Sequence, residues 1–188
     1  VLALGRIKNV EKIIPKPWQA GGNNLVLAGP LSAALGGSVY LDILGKRGTT
    51  LPGVDAKLLK EFWTKISQLQ KKGVIKSSSP LSQGGMITNL FEMALGSGYG
   101  CEIDGTKLMD RLQINQPEIG FFSEMIGAVL FEAEQDSTAR VIRELNGVLL
   151  GSIIDKAELR FKTERFTAEM HMSELVEVWK KPFSEVLS

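Results

Sequence analysis

Ser82-Gln83-Gly84-Gly85-Met86 runs directly into Ile87, Leu90, Phe91, Ala94 and Leu95, apolar residues spaced as on one face of a helix. Small residues therefore open a helix. The first N–H groups of a helix lack intrahelical partners, glycine lets an anion approach them closely, and the helix dipole favours negative charge. Serine and glycine also open helices by plain capping, so the stretch has a structural reading as well as a phosphate-binding one. Just upstream, Val74 to Lys76 reads as a short strand and Ser77 to Gln83 as a serine-rich loop. Strand, small-residue loop, helix is the order in which α/β folds place ligands.

Working outward, Leu58, Leu59, Phe62, Trp63, Ile66 and Leu69 predict a helix from Asp55 to Lys72, capped by Asp55 and closed by Gly73. Residues 2–7 and 24–28 read as strands, separated by an irregular connection holding Pro15, Pro17, Gly21 and Gly22. Leu35-Gly36-Gly37-Ser38 breaks the chain before a short helix from Val39 to Leu44, and Thr49 to Gly53 is a loop. Downstream, Gly100 to Asp104 is a strand, followed by a polar stretch with Asp110, Arg111 and Pro117. A short helix over Glu118 to Met125 then leads into a buried strand, Ala128 to Ala133.

Asp136 caps a predicted helix over Ser137 to Leu145 that turns Ala139, Ile142 and Leu145 inward, with Asn146-Gly147 ending it. Val148 to Ile154 and Glu158 to Thr163 follow as strands joined in a hairpin at Asp155-Lys156. A last helix starts at Ser173 and stops at Pro182. The expected fold is α/β (α+β): a mixed β-sheet with packed helices, one domain over residues 1–188 with a terminal helix at 173–188.

The 188 residues, 44% hydrophobic, are enough to bury a full core. One cysteine allows no internal disulfide, which fits a reducing cytoplasm, and Cys101 in its strand reads as an inert buried thiol. No apolar run reaches the ~20 residues of a membrane span. A net charge of +1 gives no field for nucleic acid, and the lysines between Lys57 and Lys76 read as a solvated helix face, with Glu61 and Lys65 in the favourable i,i+4 order. The start Val1-Leu2-Ala3-Leu4-Gly5 has the look of a piece taken from a longer polypeptide, whose bared partner surface would favour a homodimer of the fragment.

Chemistry-bearing residues are few. His171 is the only histidine, which argues against His-based metal clusters, and with no Gly-x-Ser-x-Gly elbow a Ser or Cys hydrolase has little support. Glu92, Glu124 and Asp42 lack a second acid at i+3 or i+4 and read as structural. Gly96-Ser97-Gly98-Tyr99-Gly100 follows a helix and precedes a strand, the reverse of the order a dinucleotide loop needs. No catalytic residue and no metal ligand are assigned.

The ordered set Leu25-Val26-Leu27, Leu35-Gly36-Gly37-Ser38, Ser82-Gln83-Gly84-Gly85-Met86 with Leu90-Phe91-Glu92-Met93-Ala94, Gly100-Cys101-Glu102-Ile103-Asp104, Phe122 to Phe131 and Leu150-Gly151-Ser152-Ile153 resembles the C-terminal type of domain in the AIR synthase-related superfamily. Within it, the set is most similar to the phosphoribosylformylglycinamidine synthases of purine biosynthesis. The resemblance implies a parent ligase that uses ATP and magnesium to activate the amide oxygen of formylglycinamide ribonucleotide, which ammonia from glutamine then converts to the amidine. It also implies partners: an ATP-binding AIR synthase N-terminal-type domain and a glutaminase domain or subunit. The chain alone would bind no cofactor and be inactive.

Where the family writes His-Asp-x-Ser-Asp-Gly-Gly-Leu, this chain has Ser79-Pro80-Leu81-Ser82-Gln83-Gly84-Gly85-Met86. Ser79, Ser82, Gln83, Gly84 and Gly85 are the candidate site for a ribonucleotide phosphate. The lost charges leave a second reading open, a noncatalytic structural or interaction module with an eroded site, and a third, a domain of another enzyme of the superfamily. On the phosphate reading, Gly85→Asp should abolish binding with little effect on folding.

Overall fold

The computed structural model describes residues 4–7 and 9–187, the last five as helical backbone alone. Seven strands form one mixed sheet: β1 (Asn24–Ala28), β2 (Ser77–Pro80), β3 (Gly100–Asp104), β4 (Val129–Ala133), β5 (Val148–Ile154), β6 (Glu158–Lys162) and β7 (Thr167–His171). Their spatial order is β2-β4-β1-β5-β3-β6-β7, antiparallel throughout except for β3 beside β6. Among the described residues seven α-helices cover it: α1 (Val39–Ile43), α2 (Ala56–Lys71), α3 (Gly85–Leu95), α4 (Thr106–Leu112), α5 (Pro117–Phe122), α6 (Gln135–Leu145) and α7 (Met172–Leu187).

Side-chain alternation along the central strands splits the core in two. Val26, Val129, Phe131 and Ala133 meet Phe62, Ile66 and Leu69 of α2 and Val141 and Leu145 of α6. Leu25, Leu27 and Leu130 point the other way, onto Met86, Leu90 and Met93 of α3, Leu108 of α4 and Phe121 of α5. Helices therefore lie on both faces, and α3 stands over the β2–β4–β1 edge of the sheet.

The expected architecture holds, with local corrections. The strand before α3 is Ser77–Pro80, not Val74 to Lys76: the serines pair with β4, while Val74 and Ile75 are buried by packing against the α2 and α6 core. Residues 1–3 and 8 lie outside the described residues. Residues 4–7 are in no strand, and Leu4 and Ile7 are exposed; β1 already has β4 and β5 on its two edges. The polar stretch after β3 folds as α4, whose start is held by Asp104 Oδ1 accepting from Thr106 N at 2.9 Å.

Helix α6 begins two residues earlier than predicted, after Glu134; Leu145 is buried and Ile142 packs against the core as expected, but Ala139 is exposed and Thr138 and Val141 are buried instead. Strands β5 and β6 form no hairpin. Strand β3 lies between them and takes the edge of each, antiparallel to β5 and parallel to β6. The edge strand β7, absent from the sequence reading, alternates half-buried Ala168 and Met170 with exposed Glu169 and His171. Helix α7 starts at Met172 and continues through Pro182, which forfeits one i→i−4 hydrogen bond without ending it. Among the described residues no helix is long and apolar enough to cross a membrane.

Candidate functional site

The segment 79–85 leaves the β2 edge, turns and enters α3. Both Gly84 (φ +79°) and Gly85 (φ +69°) are in the left-handed region, where side chains are costly, and a Cβ on Gly85 would stand 2.7–2.8 Å from the backbone of Phe122. The pair of glycines is thus demanded by the turn and by the close approach of α5. Gly85→Asp would consequently damage folding, contrary to the expectation from sequence.

Two polar side chains hold the loop. Asn89, fully buried on α3, accepts from Ser82 N at 3.1 Å and donates from Nδ2 to Ser79 Oγ and Pro80 O, both at 2.8 Å. Glu124, half-buried after α5, accepts on Oε1 from Gly84 N and from Val39 N, each at 2.9 Å, so a single oxygen ties the start of α3 to the start of α1. Gly85 N donates to Ser82 O at 3.0 Å. Of the five candidate residues, Ser79 is buried behind the loop, Gly84 and Gly85 have their N–H groups engaged, and Ser82 and Gln83 are exposed. Sequence reasoning gives Glu124 no partner and misses Asn89; the available signal is a polar amide at an inward position of α3, on the face of Met86, Leu90 and Met93.

Ser82, Gln83 and Glu124 line an open cleft of about 420 Å³ together with Gly36, Gly37 and Ile126. Among the described residues, the one ionisable group on its wall is the Glu124 carboxylate. A nucleoside triphosphate with its magnesium needs cationic or multiple acidic partners, and this wall offers neither.

Other titratable groups sit elsewhere. Glu132 on β4 is completely buried and receives four donors: Gln19 N (2.9 Å) and Ser77 Oγ (2.7 Å) on Oε2, and Ala20 N (3.1 Å) and Asn23 Nδ2 (2.7 Å) on Oε1. It fastens the irregular connection before β1 onto the sheet. Glu92 pairs with Lys16. The lone histidine, His171, comes together with Glu158 and Glu169 at the β6–β7 edge, a grouping that sequence separation hid. Arg160 pairs with both glutamates and with Glu102, so a guanidinium already supplies the cation there. Desolvation opposes ionisation of Glu158, but the hydrogen bond from Arg160 and the charge of Lys156 outweigh it and hold the carboxyl below its ordinary value. Cys101 is buried, and burial followed by the neighbouring Glu102 charge pushes its thiol far up, leaving no nucleophile.

Comparison with known proteins bears on the fold. The family described as AIR synthase related protein, C-terminal domain, matches residues 20–162, from just before β1 to the end of β6. The phosphoribosylformylglycinamidine synthase subunit PurL of Sulfurimonas denitrificans is 28% identical over 150 residues, which is 79% of this chain and 19% of that protein. PurL of Thermotoga maritima superposes with a TM-score of 0.73 in its ATP complex (12% identity, 87% of this chain, 27% of that one) and 0.70 in its FGAR complex (14%, 88% and 30%). The chain spans about a fifth to a quarter of the length of the curated relatives it matches. It belongs to the AIR synthase related protein family, as a C-terminal domain of that family.

Proposed function

We propose that this chain acts as the substrate-side domain of an ATP-dependent phosphoribosylformylglycinamidine synthase, meeting the ribonucleotide phosphate with the exposed end of the Ser79–Gly85 segment and inactive by itself. The observation that carries the reading is the exposure of Ser82 and Gln83 at the mouth of a cleft in a domain of this family, on a loop locked by Asn89. The Ser82 hydroxyl and the Gln83 amide groups bring donors without adding negative charge. The opposite wall, the ATP and magnesium and the glutaminase would come from other parts of the parent enzyme, since the relatives are four to five times longer than the matched region.

Glu124 favours a second reading. Its carboxylate already stands at Gly84 N–H, as a resident anion at the helix start, and that is what a purely structural unit of this fold would keep. Titration of formylglycinamide ribonucleotide and inorganic phosphate onto the 15N-labelled chain separates the two. Amide shifts centred on residues 82–85 support the ligand reading; no shift there at millimolar ligand, from a folded chain, supports the structural one.

A further inference from the structure

We infer that Glu124 is a positioning residue that trades places with an incoming phosphate, so that occupancy of the loop is communicated to α1. This rests on the ligand reading above. A main-chain N–H makes one good hydrogen bond, and Gly84 N–H is already given to Glu124 Oε1 at 2.9 Å. A phosphate oxygen placed to use that donor would stand against the carboxylate, like charge on like charge. Glu124 must therefore release Gly84 before the anion can take it. The same Oε1 also accepts from Val39 N, the first residue of α1, so release strips α1 of this partner in the same event.

The consequences differ along the loop and beyond it. Helix α1 has five residues and no buried ones; besides Glu124 it is held by the Ser38 cap and by Tyr40 stacked on Phe122 at 4.5 Å. Its first residues, Val39 and Leu41, line a depression that shares Gly37 with the cleft, so its first turn moves or loosens when the loop is occupied. The charge on residue 124 then sets how strongly phosphate binds: a neutral isostere keeps an acceptor for both N–H groups and removes the repulsion.

The test is phosphate titration of the wild-type chain and of Glu124→Gln, followed by 15N amide shifts and by exchange of the Val39 amide. The expected result is that Val39 responds along the same binding curve as Gly84 in the wild type, and that Glu124→Gln binds inorganic phosphate at least five-fold more tightly. Loop shifts at 82–85 with Val39 unmoved, or binding unchanged or weaker in a folded Glu124→Gln, overturn this inference and leave the ligand reading standing. Silence at 82–85 in both proteins overturns both.

Discussion

Two glutamates eight residues apart in sequence, Glu124 and Glu132, treat main-chain donors in opposite ways. Glu132 lies at zero exposure inside the sheet and has both oxygens filled by four donors; Glu124 stands on a cleft wall with two donors sharing one oxygen. A carboxylate saturated with donors away from water is an anchor, because nothing in the interior can replace it. One that is half-satisfied beside an open cleft is exchangeable, since water or another anion can take over its donors. The same side chain is thereby structural in one place and adjustable in the other.

That contrast is broken most severely at Glu132. Glu132→Ala leaves two main-chain N–H groups, an amide and a hydroxyl without an acceptor in the core, and the expected loss is about 3–5 kcal/mol, read as a large fall in the urea midpoint. A loss under about 1 kcal/mol would show that water reaches these donors and that the two glutamates are alike. Next comes the turn that presents Gly84 to Glu124. Gly85→Ala forces a Cβ against the Phe122 backbone at positive φ and should cost about 2–3 kcal/mol by the same measurement.

Asn89→Ala frees Ser82 N–H and Pro80 O on a partly solvated loop, with an expected cost of about 1–2 kcal/mol and faster amide exchange at residue 82. Glu124→Ala, whose two part-buried donors lie beside an open cleft, should cost no more than about 1 kcal/mol, so the ratio to Glu132→Ala measures the contrast directly. The smallest effect belongs to the exposed Asp104. The hydroxyl and N–H of Thr106 hold its carboxyl below the ordinary value. Its contribution is present above the unfolded-state value near pH 4 and is lost as pH falls through the lowered one. Thr106→Val should therefore leave stability at pH 3 less changed than at pH 7, as seen in thermal melts at the two values.

How much of this was legible beforehand follows from what each element depends on. Helices α2 and α3 announce themselves because their apolar spacing, the Asp55 cap and the Gly84-Gly85 start are local properties of the chain. The serines of β2 and the alternation of β7 carry weak signals of their own; both become strands because an edge, of β4 or of β6, is waiting for them. On α6 the expected Leu145 is buried and Ile142 packs against the core, while Thr138 and Val141 face inward in place of Ala139, because the polar residues of this helix leave its buried stripe to be chosen by packing on the sheet. The hairpin at Asp155-Lys156 failed because adjacency in sequence says nothing about β3 occupying the slot between β5 and β6.

The candidate loop divides the same way. Sequence alone was enough to establish helices α2 and α3, the central apolar strands, the family, and the serine and glycines at 82–85, because periodicity, caps and glycine are written within a few residues of where they act. Strand order, the donors converging on Glu132, and the Glu124 oxygen that joins α1 to α3 come from segments some 40 to 110 residues apart. Those were decided only in three dimensions, where long-range pairing fixes which buried or cleft-facing acceptor each unpaired N–H group meets.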